Sequence, residues 1–286
     1  MEYKDVLDTM TGEYNNLTKS GRKAADYIFA HRVEAQYMSI TALAEECGVA
    51  EATISRFFRT LGFSGYNDFK LALAKASGAP AADDEVGIYG KVLPEDSITD
   101  MCKKLYATNV AAIGQTLAQI DEENVGRAVK YLSAAQRVYC FGQGGSLVIA
   151  MEAWARFITA APQFQCIEDS HMQAMAAALS TPDDVILFFS YSGATKDMLD
   201  VLRPARRRGA KIILVTHFAK SPAAAMADVT LLCGSKEGPL QSGSVAAKMG
   251  LLFIIDVLFN EYCRTNPALT EANREATAGA ISAKLL

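Results

Sequence analysis

Along the first 76 residues the apolar positions follow only helix-like periods. A candidate helix from residue 20 to 31 turns Ala24, Ala25, Tyr27 and Ile28 to one side. Further on, Ile54, Phe57, Phe58 and Leu61 fall at i, i+3, i+4 and i+7 and form one apolar stripe, with Ala52, Ser55, Arg56 and Arg59 opposite. From about residue 137 the pattern changes. Short apolar runs at 137–141, 164–167, 185–189, 211–216 and 229–233 are separated by segments of helical length or composition. That alternation predicts a five-stranded parallel sheet covered by helices on both faces. Residues 94–97 start a long helical stretch towards Ile120, and residues 121–124 open another, both with the character of flanking or dimer helices. Residues 268–286 read as a final amphipathic helix, and there is no internal repeat.

Between the two regimes, residues 77–92 replace periodicity with Gly, Pro, small residues and the acidic triplet Asp83, Asp84 and Glu85. The expected organisation is an all-α domain over 1–76, a linker over 77–92 and an α/β domain over 93–286. A chain of 286 residues, half of them hydrophobic, has ample core for that. The net charge of −4 excludes a globally basic nucleic-acid coat but not a small DNA-reading module on an acidic body. The six cysteines, Cys47, Cys102, Cys140, Cys166, Cys233 and Cys263, show no C-x-x-C pair and no histidine at metal-ligand spacing, so buried free thiols and no metal are expected. The amino terminus lacks an export pattern, and the apolar stretch 250–259 contains Asp256 and is too short to span a bilayer. These features predict a cytoplasmic protein without a membrane partner.

Residues 39–62 carry the first constellation with chemistry in it. Ala44 is small where two helices must approach, Gly48 permits a left-handed turn four residues later, and Ile54 returns to the same core six residues further on. Together these meet the requirements of a helix-turn-helix. The exposed side of its second helix presents Ala52, Thr53, Ser55, Arg56 and Arg59 to a major groove, with arginines for base edges or phosphates. A small bundle with a solvated face fits the same periodicity, and residues 1–76 hold 9 Lys and Arg against 10 Asp and Glu.

The second constellation follows two of the strand candidates. Ser190, Tyr191, Ser192, Gly193, Ala194 and Thr195 stand where a strand meets a helix, so hydroxyls of Ser190, Ser192 and Thr195 and first-turn amides converge at the positive end of a helix dipole. A serine-rich turn with a capping residue is the alternative. Gly142, Gln143, Gly144, Gly145 and Ser146 follow another strand, and glycines there let the backbone pass close to a ligand. Val148 stands where a dinucleotide fingerprint wants a small residue, and Glu168 and Asp169 lack a clear ribose-binding context, which favours a phosphosugar over a dinucleotide. In open α/β sheets ligands gather at the carboxyl ends of strands, near a switch in strand order.

In order and separation, the segments at 23–28, 39–66, 142–146 and 190–195, with Asp228 ahead of the last strand, resemble the RpiR (MurR) family of bacterial transcription regulators. That family joins a helix-turn-helix domain to a SIS, or sugar isomerase, domain. The resemblance implies a phosphosugar held by Ser190, Ser192 and Thr195 with Ser146 closing the site; Gly142, Gly144 and Gly193 bring backbone close to it, and Glu168 and His171, which follow a strand end, are further candidate contacts. It also implies a double-stranded DNA operator and a phosphorylated sugar effector; a homodimer is expected because a single short recognition helix makes few base contacts. The family usually carries Ser or Thr where this chain has Ala50, so one N-cap hydroxyl is missing, a loss of about 1 kcal/mol. An isomerase with an accessory helical domain is the competing class. It needs a base near the sugar, and Glu168, Asp169, His171 and His217 are the candidates, each also readable as a cap or loop residue. The expectation is therefore a ligand-responsive regulator without catalytic residues or cofactor.

Overall fold

A computed structural model describes residues 6–76, 92–234 and 244–284. They form two compact units, and the chain passes from one to the other within a single helix, between Thr108 and Asn109. Residues 77–91 of the expected linker lie outside the described residues.

The first unit contains α1 (Val6–Glu13), α2 (Lys19–Ala30), the single turn α3 (Arg32–Ala35), α4 (Ile40–Glu46), α5 (Glu51–Thr60) and α6 (Tyr66–Ala76). Hydroxyls start two of these helices. Thr18 Oγ1 accepts from Gly21 N–H and Ser39 Oγ from Ala42 N–H, both at 3.1 Å, and each such cap stabilises by about 1 kcal/mol. The stripe of Ile54, Phe57, Phe58 and Leu61 is buried as its spacing requires. Phe58 stacks on Phe69 of α6 with ring centroids 4.2 Å apart. Ala24, Ala25 and Ile28 enter the same core, and Tyr27 stays half-buried at its edge. Tyr66 donates its hydroxyl to Met38 O at 2.9 Å, and the Lys70 ammonium donates to the same carbonyl at 3.0 Å, which fixes the chain just ahead of α4. Burial pushes that lysine down to about 8.

Helix α7 (Ile98–Leu117) begins four residues later than its expected start at 94. The cap is Ser97, whose Oγ accepts from Asp100 N–H at 3.1 Å and donates to Asp100 Oδ2 at 2.6 Å. Helix α8 (Glu122–Ala134) opens on Asp121, which accepts from Asn124 N–H at 3.0 Å.

The second unit holds a five-stranded parallel sheet of β1 (Arg137–Gly142), β2 (Phe164–Cys166), β3 (Asp184–Phe189), β4 (Lys211–Thr216) and β5 (Val229–Leu232) in the order β2-β1-β3-β4-β5. Each lies within a residue of its expected run. The remaining helices are α9 (Gly145–Phe157), α10 (Ser170–Ala178), α11 (Lys196–Arg208), α12 (Val245–Thr265) and α13 (Pro267–Ser282). Side chains alternate between two cores with the two-residue period of a strand. Val138, Cys140, Val185, Leu187 and Phe189 pack with α8, α9 and α12, whereas Tyr139, Phe141, Ile186 and Phe188 pack with α10 and α11. Burial on both faces is why these strands read as unbroken apolar runs. The expectation that all six thiols are buried does not hold, because Cys102 lies on the exposed surface of α7. Among the described residues no three His, Cys, Asp or Glu side chains group to hold a metal, and no helix is long and apolar enough to cross a membrane.

Candidate effector site and nucleic-acid interface

The strand order reverses at β1. From β1 the chain steps to β2 at one edge, then returns to β3 on the opposite side of β1, leaving a crevice at the carboxyl ends of β1 and β3. Gly142 and Phe189, the last residues of those strands, are register partners. The turn at 143–146 and the segment at 190–195 therefore leave the sheet side by side, and the structure brings the two sequence motifs together.

Both turns need their glycines. A Cβ on Gly142 would lie 2.6 Å from the carbonyl carbon of Ser146, because α9 folds straight back over the end of β1. Gly193 has φ +59°, and a Cβ there would also lie 2.8 Å from Ser221 Cβ. Gly193 O accepts from Ala223 N–H at 3.0 Å, so the loop after β4 buttresses the β3 segment. Gly144 caps α9 on the exposed rim, and Ser146, half-buried in the first turn of α9, makes no side-chain bond among the described residues.

The hydroxyls are arranged differently from the expectation. Ser190 is buried, and its Oγ accepts from Gly193 N–H at 3.2 Å; Ser192 Oγ accepts from Ala194 N–H at 3.3 Å. Those two amides are thus engaged by hydroxyls rather than left open for an anion. Each hydroxyl proton remains available for donation. Thr195 is exposed and is the N-cap residue of α11 without a side-chain cap bond, so its hydroxyl and the first-turn amides of Lys196, Asp197 and Met198, which have no intrahelical partner, are the donors left at this end. Of the residues after β2, Asp169 is occupied in capping α10, accepting from Met172 N–H at 2.9 Å, while Glu168 and His171 are exposed. His217 stacks on Tyr191 at 4.9 Å and its Nδ1 pairs with Cys233 O at 2.9 Å, which makes it a packed loop residue.

Three residues escaped the sequence reading. Thr216 donates to Tyr191 O at 3.0 Å and Ser221 faces Gly193. Gln173 of α10 donates to the carbonyl of Gly142 at 3.1 Å. A serine just past a strand end is the only signal for Ser221; Gln173 has none. Two grooves of about 590 and 440 Å³ run along α8 and α12, past Val125, Gly126 and Glu261. Glu261 is closed in a two-bond pair with Arg264, and Ser133, Thr265 and Asn266 in the second groove are bonded to one another, Asn266 Nδ2 donating to Ser133 Oγ at 2.9 Å and to Thr265 Oγ1 at 3.1 Å.

In the first unit, α4 and α5 are joined by a turn in which Gly48 has φ +61°, and Ala44 is buried where the helices meet. Ala52, Arg56 and Arg59 are exposed on α5, with Thr53 and Ser55 half-buried beside them. The Thr41 hydroxyl donates to Glu51 at the start of α5, tying the two helices together. Ala50 has the extended geometry of a cap residue and no side-chain cap bond.

A helix-turn-helix unit ahead of a parallel α/β unit, with serine-glycine turns at the strand-order switch, defines a DNA-reading protein with a sugar-isomerase-type domain. Residues 4–79 match the helix-turn-helix domain of the rpiR family and residues 131–260 match the SIS domain. The chain belongs to the rpiR family of helix-turn-helix transcriptional regulators. It is 31% identical over 255 residues to an uncharacterized HTH-type transcriptional regulator of Haemophilus influenzae, covering 89% of this chain and 88% of that protein. It is 28% identical to the HTH-type transcriptional regulator HexR of Escherichia coli, covering 89% and 86%. The Vibrio vulnificus NanR protein complexed with ManNAc-6P has the same fold, with a TM-score of 0.86 at 27% identity over 98% of this chain and 99% of that one.

Proposed function

We propose that the chain is a homodimeric regulator whose α/β unit binds a phosphorylated sugar and thereby alters the grip of its helix-turn-helix units on a double-stranded DNA operator. The observation that carries this reading is the register of Gly142 on Phe189, which sets the two ligand turns side by side at the switch in strand order. A phosphate there accepts from Ser190, Ser192 and Thr195 and meets the positive end of α11. Gly142, Gly144 and Gly193 keep backbone close to the ligand, Ser146 closes the other side, and Glu168 and His171 serve the sugar hydroxyls. The ManNAc-6P carried by NanR supports this class of effector.

The helical reader takes residues 1–76, joined through 77–92 to the effector domain at 93–286. One short recognition helix makes few base contacts, so two are needed, about 34–36 Å apart on a two-fold site. Self-association is supported by α7, where only Ala112 and Thr116 are buried and Ile98, Leu105, Tyr106, Val110 and Leu117 are exposed. The protein is a sensor rather than an isomerase, acts in the cytoplasm and needs no cofactor. Its relatives carry the names of regulators, and Asp169 is occupied by its helix. A coupling of about 1–3 kcal/mol between the two sites changes DNA affinity roughly 5- to 150-fold.

Thermal-shift measurements on the full chain against a panel of phosphorylated sugars, followed by anisotropy with selected DNA duplexes, test the reading. At least one sugar phosphate should raise the melting temperature by mass action and change DNA affinity. A panel without effect rejects the sensor, and turnover dependent on Glu168 or His171 establishes an enzyme instead.

A further inference from the structure

Gln173 is a fully buried amide in an otherwise apolar stretch of α10, between Met172 and Ala174. Its Nε2 donates to two carbonyls, Gly142 O at 3.1 Å and Ile167 O at 2.7 Å. Both acceptors lie beyond Cys140 and Cys166, the last register pair of β1 and β2. The amide thus bridges the two strands where their ladder has run out. Because both neighbours are carbonyls, the nitrogen must face them, and Oε1 is left buried with no partner. The Nε2 of Gln143, next along the chain from Gly142, is also buried without a partner.

A stranded buried polar atom is a net cost. Methionine or leucine would fill the position of Gln173 without it, so what the glutamine supplies is its pair of donor bonds. Those bonds tie the turn at 142–146 to the loop at 167–171. They act on the side of β1 away from the Ser190 segment, since β2 and β3 flank β1 on opposite sides.

We propose that Gln173 is a positioning residue that sets selectivity for the carbohydrate part of the effector, acting through the β1 turn and the β2 loop, while the hydroxyls after β3 read the phosphate. The inference rests on the effector reading above. The β3 segment offers hydroxyl and amide donors, which suit a dianion. The β1 and β2 loops carry Gln143, Glu168 and His171, groups that between them donate and accept, as sugar hydroxyls require.

Calorimetric titration of the full chain with inorganic phosphate and with a panel of hexose and N-acetylhexosamine 6-phosphates tests this. In Gln173→Met the Kd for inorganic phosphate should change by less than about twofold, while the advantage of the tightest sugar phosphate over inorganic phosphate falls roughly tenfold, as for one lost buried hydrogen bond. A parallel loss of both affinities makes Gln173 a support of the whole site and overturns the inference, as does an unchanged advantage. If Gln173→Met does not fold, Gln173→Leu is read the same way: loss of the sugar advantage alone supports the inference, and any other result overturns it. A wild-type chain that binds sugar phosphates no tighter than phosphate overturns it too, and one that binds neither also removes the effector reading.

Discussion

Arg137 grips Asp184 through two bonds, Nε to Oδ1 at 2.9 Å and Nη2 to Oδ2 at 2.7 Å, at the first register pair of β1 and β3. The carboxylate is fully buried and also accepts the N–H and hydroxyl of Thr181 at 2.8 and 3.0 Å. Arg137→Ala leaves that charge without its main partner and should cost about 3 kcal/mol in urea unfolding. Sugar-phosphate affinity should hold, because the pair sits at the opposite end of the strands from the turns proposed to bind it, after Gly142 and Phe189. A loss below about 0.5 kcal/mol would show that the pair contributes nothing beyond an exposed one.

The pH dependence of this pair has a definite sign. Burial alone pushes the Asp184 carboxyl up, but the bonds from Arg137 and Thr181 outweigh it and hold the group below its ordinary range. A depressed native value means the stabilisation is complete above the unfolded value, near pH 4, and is lost as pH falls through the native one. The difference in unfolding free energy between wild type and Asp184→Asn should therefore shrink on acidification below about pH 4. A difference that grows in acid would contradict the assignment.

Arg56 and Arg59 are exposed on α5 and make no ion pair among the described residues, so they contribute little to folding. Replacing both by alanine should leave the melting temperature nearly unchanged. DNA affinity should fall by about 1–3 kcal/mol for each arginine, with a shallower dependence on salt if the contacts are to phosphates. Wild-type DNA affinity in the double variant would remove α5 as the reading helix.

Gly193→Ala meets two obstacles at once, a left-handed φ of +59° and a Cβ 2.8 Å from Ser221 Cβ. The β3 segment must shift, which also moves Ser190 away from Gly193 N–H. We expect destabilisation of about 1–3 kcal/mol and loss of the sugar-phosphate response. Ser192→Ala, at a half-buried position, should lose the response with the fold intact. Retention of a full response in both variants would place the phosphate elsewhere.

The strands are legible in the sequence because a sheet covered on both faces leaves no polar position inside runs such as 185–189. The helix-turn-helix is legible because Ala44, Gly48 and Ile54 answer separate steric demands at fixed spacing. The start of α7 is misread because Pro94, Glu95 and Asp96 have first-turn composition, while the cap that decides it is the Ser97 hydroxyl. The polarity of the Ser190 hydroxyl is visible in the sequence, but its bond to Gly193 N–H is a matter of turn geometry. Gln173 is invisible for a different reason. Its partners are backbone carbonyls of Gly142 and Ile167, which carry no residue signature, and one of them lies 31 positions away.

Ala50 offers a gain rather than a loss. Its φ of −74° and ψ of 148° are those of an N-cap residue, and its carbonyl already accepts from Thr53 N–H at 2.8 Å, yet its methyl group cannot accept a bond from the first turn of α5. Serine there would supply that acceptor without altering the backbone, for Ala52 N–H or as a second acceptor for Thr53 N–H. Ala50→Ser should stabilise the first unit by about 1 kcal/mol, a rise of roughly 4–8 °C if that unit melts as a separate transition. Ala50→Val, which cannot cap, should give no rise. If both variants melt with the wild type, the amides at the start of α5 are already satisfied and the missing hydroxyl carries no energetic weight.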